Sequence, residues 1–152
     1  MKKYFLSIFI LLAIQLGVFS QNFNRLTQIV DAPQITNGQV AYFVGTYLGT
    51  VNDNATDSEA FENMKSSGYF SKDAVVDGYI SLKDLCAVYA KACGVKGGMM
   101  FSLSKKSPRY AFKEFKAKGW LPGNADPSLK VSGVNAIGLF NSVTGDQNEK
   151  ID

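Results

Sequence analysis

The chain has 152 residues, with 16 basic and 13 acidic side chains, no histidine and a formal net charge of +3 at pH 7. The lack of histidine excludes a Ser-His-Asp triad, a Cys-His pair and a histidine-ligated zinc site. Two of the basic residues, Lys2 and Lys3, lie in a segment that we expect to be removed, which leaves the rest of the chain nearly neutral. Net charge therefore gives no reason to expect nucleic acid as a partner.

The start of the chain has the pattern of a secretory signal peptide. It reads MKKYFLSIFILLAI, in which two lysines precede an apolar run that is too short to span a bilayer as a helix. Val18 and Ser20 stand three and one residues before a cleavage point ahead of Gln21. We predict a signal peptide over residues 1–20 and an exported, periplasmic or envelope-associated protein that is not integral to the membrane after cleavage. An uncleaved membrane anchor is the alternative interpretation.

Residues 21–34 are predicted to be irregular or partly helical. After them, an apolar residue followed by Ser or Thr occurs three times in the chain. The hydroxyl residue is a good N-cap for a helix, and the apolar residue before it can act as a hydrophobic staple. Each pair therefore predicts the start of a helix: Ile35-Thr36, Ile80-Ser81 and Val131-Ser132.

An internal repeat organises most of the chain. Residues 61–92 align without a gap on residues 112–143, with an offset of 51 residues, and a partial copy upstream matches the second half of this unit. The predicted repeat domain covers residues 35–143 and consists of a half unit (35–51) and two full units (57–95 and 107–143).

Each full unit predicts a helix, a loop and a second helix. The first helix ends at Gly68 or Gly119, where glycine can take the left-handed conformation that closes a helix. The second helix carries apolar residues at helical spacing. We predict a short extended piece over residues 99–103 and a disordered tail over residues 144–152. The predicted fold is all-α, built from helical hairpins, with five helices over residues 37–48, 58–67, 82–93, 108–118 and 133–143.

The two cysteines, Cys86 and Cys93, are predicted to stay free. If both lie on one helix, their Cα atoms are about 10.5 Å apart at 1.5 Å per residue. A disulfide needs a separation below about 7 Å. We expect them to pack as small apolar residues, because free cysteine is among the most buried residue types.

The stretch DGYISLKDL looks like the second half of an EF-hand calcium loop. With Gly78 at the sixth position, the ligand positions fall on Asp73, Asp77 and Asp84, but Val75 occupies the third position and offers no oxygen ligand. The same residues are explained by a turn and a helix cap. Calcium therefore remains an alternative, with these three aspartates as its candidate ligands.

Two neighbouring stretches are candidate binding surfaces. Met99, Met100 and Phe101 follow two glycines and form an apolar run that suits docking, or packing between the two units. A basic helix face can meet an anionic glycan, a lipid headgroup or an acidic protein, or it can simply be solvated. The basic candidates are Lys105, Lys106, Arg109, Lys113 and Lys116.

The 51-residue unit, with Lys-x-x-Gly-aromatic after its first helix and Ile/Val-Ser/Thr before its second, resembles the S-layer homology (SLH) module. This resemblance covers residues 35–143 and implies an exported helical scaffold, which in many members holds a protein to cell-wall polysaccharide. The family's second helix usually begins Ile-Thr-Arg-Ala-Glu, and its arginine helps to contact the anionic glycan. Leu82 and Gly133 stand at that arginine position here. The segment KGGMMFSLSKKSPRYAFKEF also resembles parts of uncharacterised exported envelope proteins of spirochaetes.

Together these features predict a non-catalytic interaction module that needs no cofactor and binds another envelope protein. The first alternative is an SLH-type anchor to anionic cell-wall glycan, and the second is a degenerate EF-hand-like calcium-binding protein. Paired carboxylates such as Asp73 and Asp77 are the nearest approach to a hydrolytic site, and no second polar cluster accompanies them.

Overall fold

The structure is a computed structural model that describes residues 24–148. The predicted signal peptide and the last four residues of the predicted tail lie outside the described residues. Within this part of the chain the fold is all-α, as predicted, with seven helices and no β-sheet. The helices are α1 (24–31), α2 (Asn37–Tyr47), α3 (Asp57–Ser66), α4 (Leu82–Ala92), α5 (Met99–Leu103), α6 (Pro108–Ala117) and α7 (Gly133–Asn148).

Side-chain caps fix helix starts at the hydroxyl residues that the sequence indicates. Thr36 accepts a hydrogen bond from the amide of Gln39 at 3.2 Å, and its own amide donates to the Gln39 side chain at 3.0 Å. Ser81 accepts from the amide of Asp84 and donates its hydroxyl to that carboxylate. Ser132 accepts from the amide three residues later at 3.4 Å. These bonds satisfy amides that the first turn of a helix leaves without a partner.

The two predicted full units close their first helices in the same way. α3 and α6 have ten residues each and begin 51 residues apart. Gly68 and Gly119 follow them with φ of +80° and +77°, values that residues other than glycine rarely adopt. The amides of Tyr69 and Trp120 then donate back into the last turn at 3.0 Å in both units. These matched bonds support the predicted duplication, which itself stays a prediction.

The starts of α2 and α4 each contact the loop of the following unit. The amide of Asn37 in α2 donates to the carbonyl of Gly78 at 2.9 Å. Leu82, at the same place in α4, donates to the carbonyl of Leu129 at 2.8 Å. The half unit therefore contacts the first full unit as the first full unit contacts the second.

The chain also closes on itself through the three staple residues. The amide of Ile80 donates to the carbonyl of Ile35 at 3.1 Å, and the amide of Ile35 donates to the carbonyl of Val131 at 2.8 Å. All three side chains are buried in the hydrophobic core. Backbone segments that are distant in sequence therefore meet in the core, and burial of their side chains stabilises the meeting point.

An aromatic cluster joins three of the helices beside these residues. The ring of Phe140 in α7 lies edge-on to Phe43 and Tyr47 of α2, with centroids 5.0 and 4.8 Å away, and to Tyr89 of α4, at 5.1 Å. The buried hydroxyl of Tyr89 donates to the carbonyl of Ala136 at 3.0 Å. Edge-on aromatic pairs of this kind contribute about 0.5–1.5 kcal/mol each beyond the burial of their area.

The helix α1 lies in the segment predicted to be irregular or partly helical, and its two ends contact different helices. Arg25 forms an ion pair with Asp57, and its guanidinium carbon lies 3.7 Å from the centroid of the Tyr42 ring. At its other end, the carbonyl of Ala32 accepts a hydrogen bond from the amide of Gly133 at 2.9 Å. α1 and the residue after it therefore contact α2, the start of α3 and the start of α7.

The prediction of an extended piece over residues 99–103 is wrong, because this segment forms the short helix α5. Its one buried side chain is Phe101, which is 3% exposed and close to Gly97. The amide of Ser102 donates to the carbonyl of Gly98 at 3.1 Å, as in a helical turn. Packing of a single aromatic ring against the rest of the fold therefore decides the conformation of this run.

The last helix also continues beyond its predicted end at residue 143, so residues 144–148 are helical and not part of a disordered tail. In the first full unit, Gly94 ends α4 with φ of +62° and the buried Val95 follows. The corresponding residues are Gly145 and Asp146. A polar residue after the glycine gives the chain no apolar anchor with which to turn back, so the helix continues.

Candidate functional site

Two grooves lie at corresponding places in the two predicted units. The first has a volume of about 250 Å³ and lies between the start of α4 and the loop before it. We call it the polar groove, because eight of its fourteen lining residues carry a polar side-chain group. These include Asn37, Ser71, Asp73, Tyr79, Asp84 and Lys91.

The second groove has a volume of about 520 Å³ and lies between the start of α7 and the loop before it. We call it the apolar groove, because Asn135 and Ser142 are the only polar side chains among its lining residues. Leu129 is 52% exposed and Val134 is 61% exposed, so the groove presents apolar surface to solvent. The side chains that form most of it are Leu82, Trp120, Leu121, Leu129, Val134 and Leu139.

The two grooves differ because the copies differ at the same positions. Leu82 occupies in the apolar groove the place that Asn37 has in the polar groove, and Ser142 occupies the place of Lys91. A comparison of the copies for their differences would have found this from the sequence. Two further exchanges are Ser71 to Pro122 and Asp84 to Asn135.

The charged groups of the polar groove already take part in hydrogen bonds. The ammonium of Lys91 donates to the carbonyl of Gly68 at 2.7 Å. Burial is the main cause that lowers the pKa of Lys91, and the positive charge of the nearby Lys106 lowers it further. The carboxylate of Asp84 accepts from the hydroxyl of Ser81. Lys91 therefore holds the segment after α3 against α4, and Asp84 stabilises the start of α4.

The three aspartates of the candidate calcium loop do not converge on one point. Asp73 and Asp77 are exposed, whereas Asp84 is half-buried in the cap of α4. Across residues 24–148 there is no group of three or more His, Cys, Asp or Glu side chains placed to hold a metal ion. The cap is a sufficient structural role for Asp84.

The candidate docking segment has both an exposed and a buried side. Met99, Met100 and Leu103 are 76%, 53% and 70% exposed. Phe101 points the other way and is buried, so it anchors α5 and does not belong to the binding surface, contrary to the sequence prediction. The sequence prediction missed Leu103, although its spacing of four residues from Met99 places both on one side of a helix.

The candidate basic residues divide into two groups. Lys105, Arg109 and Lys113 are exposed. Lys106 is half-buried and donates to the carbonyl at the end of α4, at Ala90, over 3.1 Å. Lys116 is also half-buried, with its ammonium 5.5 Å from the centroid of a phenylalanine ring on the same helix. Only the first group is therefore fully available to a partner.

Both cysteines are free thiols, as predicted. Cys86 is buried in α4, and Cys93 is half-buried just after it. Burial raises the pKa of Cys93 to about 11 and raises that of Cys86 further. Because the thiolate is the reactive form, neither cysteine suits a nucleophile at neutral pH.

No family model, no curated protein and no solved structure matches this chain. Among the described helices, none combines the length and the apolar character needed to cross a membrane.

Proposed function

We propose that this chain is a non-catalytic, exported module of the cell envelope that binds another envelope protein through the apolar groove. The observation that carries the proposal is the contrast between the two grooves. The polar groove presents two carboxylates, a lysine and one side-chain amide, whereas the corresponding apolar groove presents Trp120, Leu129 and Val134. An open apolar surface of this kind costs solubility unless a partner covers it.

The size and lining of the apolar groove suit a protein segment. Clefts that hold a small molecule measure about 300–1,000 Å³, so the volume of about 520 Å³ is large enough to take several apolar side chains of a partner. Trp120 is half-buried at its edge, and tryptophan is enriched among the residues that contribute most to protein–protein binding. The lining contains no carboxylate, lysine, arginine or cysteine that could act as a general acid, a general base or a nucleophile. We therefore expect apolar side chains of the partner to fill it.

Photocrosslinking from matched positions tests the proposal. Val134 and Val75 are both exposed valines, at 61% and 63%, and Val75 lines neither groove. We expect p-benzoylphenylalanine at Val134 to give one discrete adduct in cells that export the full chain. The same group at Val75, in the loop of the first full unit, should not give that adduct.

A second variant separates binding in the groove from chance proximity. Leu129→Ser replaces an exposed side chain of the same groove and should weaken the adduct formed from Val134. Identical adducts from Val134 and Val75, or an adduct that Leu129→Ser does not change, would contradict the proposal.

The glycan-anchor alternative would use the polar groove instead. Ser71 and Tyr79 offer hydrogen-bonding groups there, and the ring of Tyr69 lies among its lining residues. Because Lys91 already donates to a carbonyl, this groove suits an uncharged glycan better than an anionic one. Sedimentation with purified peptidoglycan that is lost in Tyr69→Ala but kept in Leu129→Ser would favour this alternative.

A further inference from the structure

The surface around α5 combines exposed apolar side chains with a long stretch that lacks acidic residues. Between Asp84 and Glu114 the chain has six basic residues and no Asp or Glu. The first acid after the stretch, Glu114, is already engaged, since it accepts from the amide of Gly98 at 3.3 Å and lies 3.8 Å from the ammonium of Lys118. The region therefore has a local positive charge that the near-neutral total conceals.

The helix α5 projects three apolar side chains from one side. Met99 and Met100 are four and three residues before Leu103, so the three share a side of this short helix. Phe101 is buried on the other side and fixes the orientation of the helix. We call Met99, Met100 and Leu103 the apolar tip.

Exposed cations border the apolar tip. Lys96 precedes α5 and Lys105 follows it, and both are exposed. Arg109 and Lys113 are exposed on α6, against which α5 packs. The other two basic residues of the stretch, Lys91 and Lys106, donate to backbone carbonyls and contribute less.

We propose that the apolar tip and these four cations bind the surface of an anionic lipid bilayer, with Met99, Met100 and Leu103 entering the headgroup region. Each Lys or Arg near an anionic membrane surface adds roughly fivefold to binding, and apolar side chains add to this by burial. This surface is separate from the apolar groove and does not depend on the proposed function.

A lipid surface fits these residues better than an acidic protein does. A protein interface of standard size uses about 20–30 residues on each side and a shape that complements its partner. The apolar tip has three side chains on a convex helix, and flexible methionines adapt to a fluid surface. Three apolar residues and several cations are enough for reversible attachment to a bilayer.

Cosedimentation with vesicles tests the proposal, with the chain from Gln21 to Asp152, which contains every described residue. Vesicles of equimolar phosphatidylglycerol and phosphatidylcholine should bind the chain at low salt. Vesicles of phosphatidylcholine alone should bind it about 600-fold less, because all four cations then lose their anionic partners. Raising the salt concentration should release the chain, because screening weakens attraction between exposed charges.

Three variants make the test specific. The charge variant Lys105→Gln/Arg109→Gln/Lys113→Gln should lose about a hundredfold in binding. The tip variant Met99→Ser/Leu103→Ser should lose about tenfold. The control Leu129→Ser/Val134→Ser removes two other exposed apolar side chains, from the apolar groove, and should bind as the parent does. Circular dichroism should show all three folded, because every substituted side chain is exposed.

No binding to anionic vesicles at low salt would overturn the proposal. An unchanged affinity of the tip variant would also overturn it, since attraction would then be purely electrostatic. If the chain ignores vesicles but binds polyglutamate through the same cations, the surface recognises acidic protein and the lipid proposal is wrong.

Discussion

The amide of Ile35 donates a 2.8 Å hydrogen bond to the carbonyl of Val131, and this bond joins the predicted half unit to the last full unit. In a linear repeat protein each unit contacts only its neighbours, so stability is lost unit by unit. Here the first and last segments meet in one core. The fold should therefore unfold as a single cooperative unit, although its chain is built from similar parts.

Truncation of Ile35 tests this cooperativity. Because Ile35 is fully buried between the units, Ile35→Ala should lower the free energy of unfolding by about 2–5 kcal/mol. The loss should appear equally in circular dichroism and in the fluorescence of Trp120, the single tryptophan, which lies in the last unit. The exposed control Val134→Ala should change stability by less than about 0.5 kcal/mol. Separate transitions from the two probes would indicate independent units.

Two glycines at the start and middle of α7 should respond oppositely to alanine. A side chain at Gly133 would clash with the carbonyl of Ile29, so Gly133→Ala should cost about 1–3 kcal/mol of stability. Gly138 has open space around it within the same helix, so Gly138→Ala should stabilise by about 0.5–1 kcal/mol. Urea denaturation of both variants measures the two changes. Equal effects would mean that α1 does not pack on α7 as described.

Calcium should not stabilise the protein. Asp84 is engaged in the cap of α4, and the exposed Asp73 and Asp77 do not form a three-ligand group with it. Thermal melting with and without millimolar calcium should give the same midpoint. A rise in the midpoint that disappears in Asp73→Asn/Asp77→Asn would instead support the calcium alternative.

The thiols should react slowly in the folded protein. With its pKa at about 11, Cys93 is almost entirely protonated at neutral pH, and Cys86 is buried as well. Iodoacetamide followed by mass spectrometry should therefore modify Cys93 slowly and Cys86 only after unfolding. Fast modification of Cys86 under native conditions would contradict its burial in α4.

Local signals in the sequence predicted much of this fold. Thr36 and Ser81 determine helix starts through bonds to their own neighbours, and Gly68 and Gly119 close helices through their own backbone freedom. Features of this kind depend on a few adjacent residues. They could be predicted without knowledge of the tertiary packing.

Features that depend on tertiary packing were not predictable in the same way. The run 99–103 is too short for periodicity to separate strand from helix, and burial of Phe101 decides the outcome. α7 continues because Asp146, the counterpart of the apolar Val95, is polar and does not anchor a turn. The apolar groove was missed because the two copies were compared for what they share, whereas exchanges such as Asn37 to Leu82 make this groove apolar.

We propose that a protein partner occupies the apolar groove, and the fluorescence of Trp120, which lines this groove, should report its binding. Once photocrosslinking has identified the partner, it can be purified and titrated into the chain while the emission of Trp120 is recorded. We expect a saturable change in emission and reduced quenching by acrylamide, both weakened in Leu129→Ser. Tight binding that leaves the emission and quenching of Trp120 unchanged would contradict the proposal.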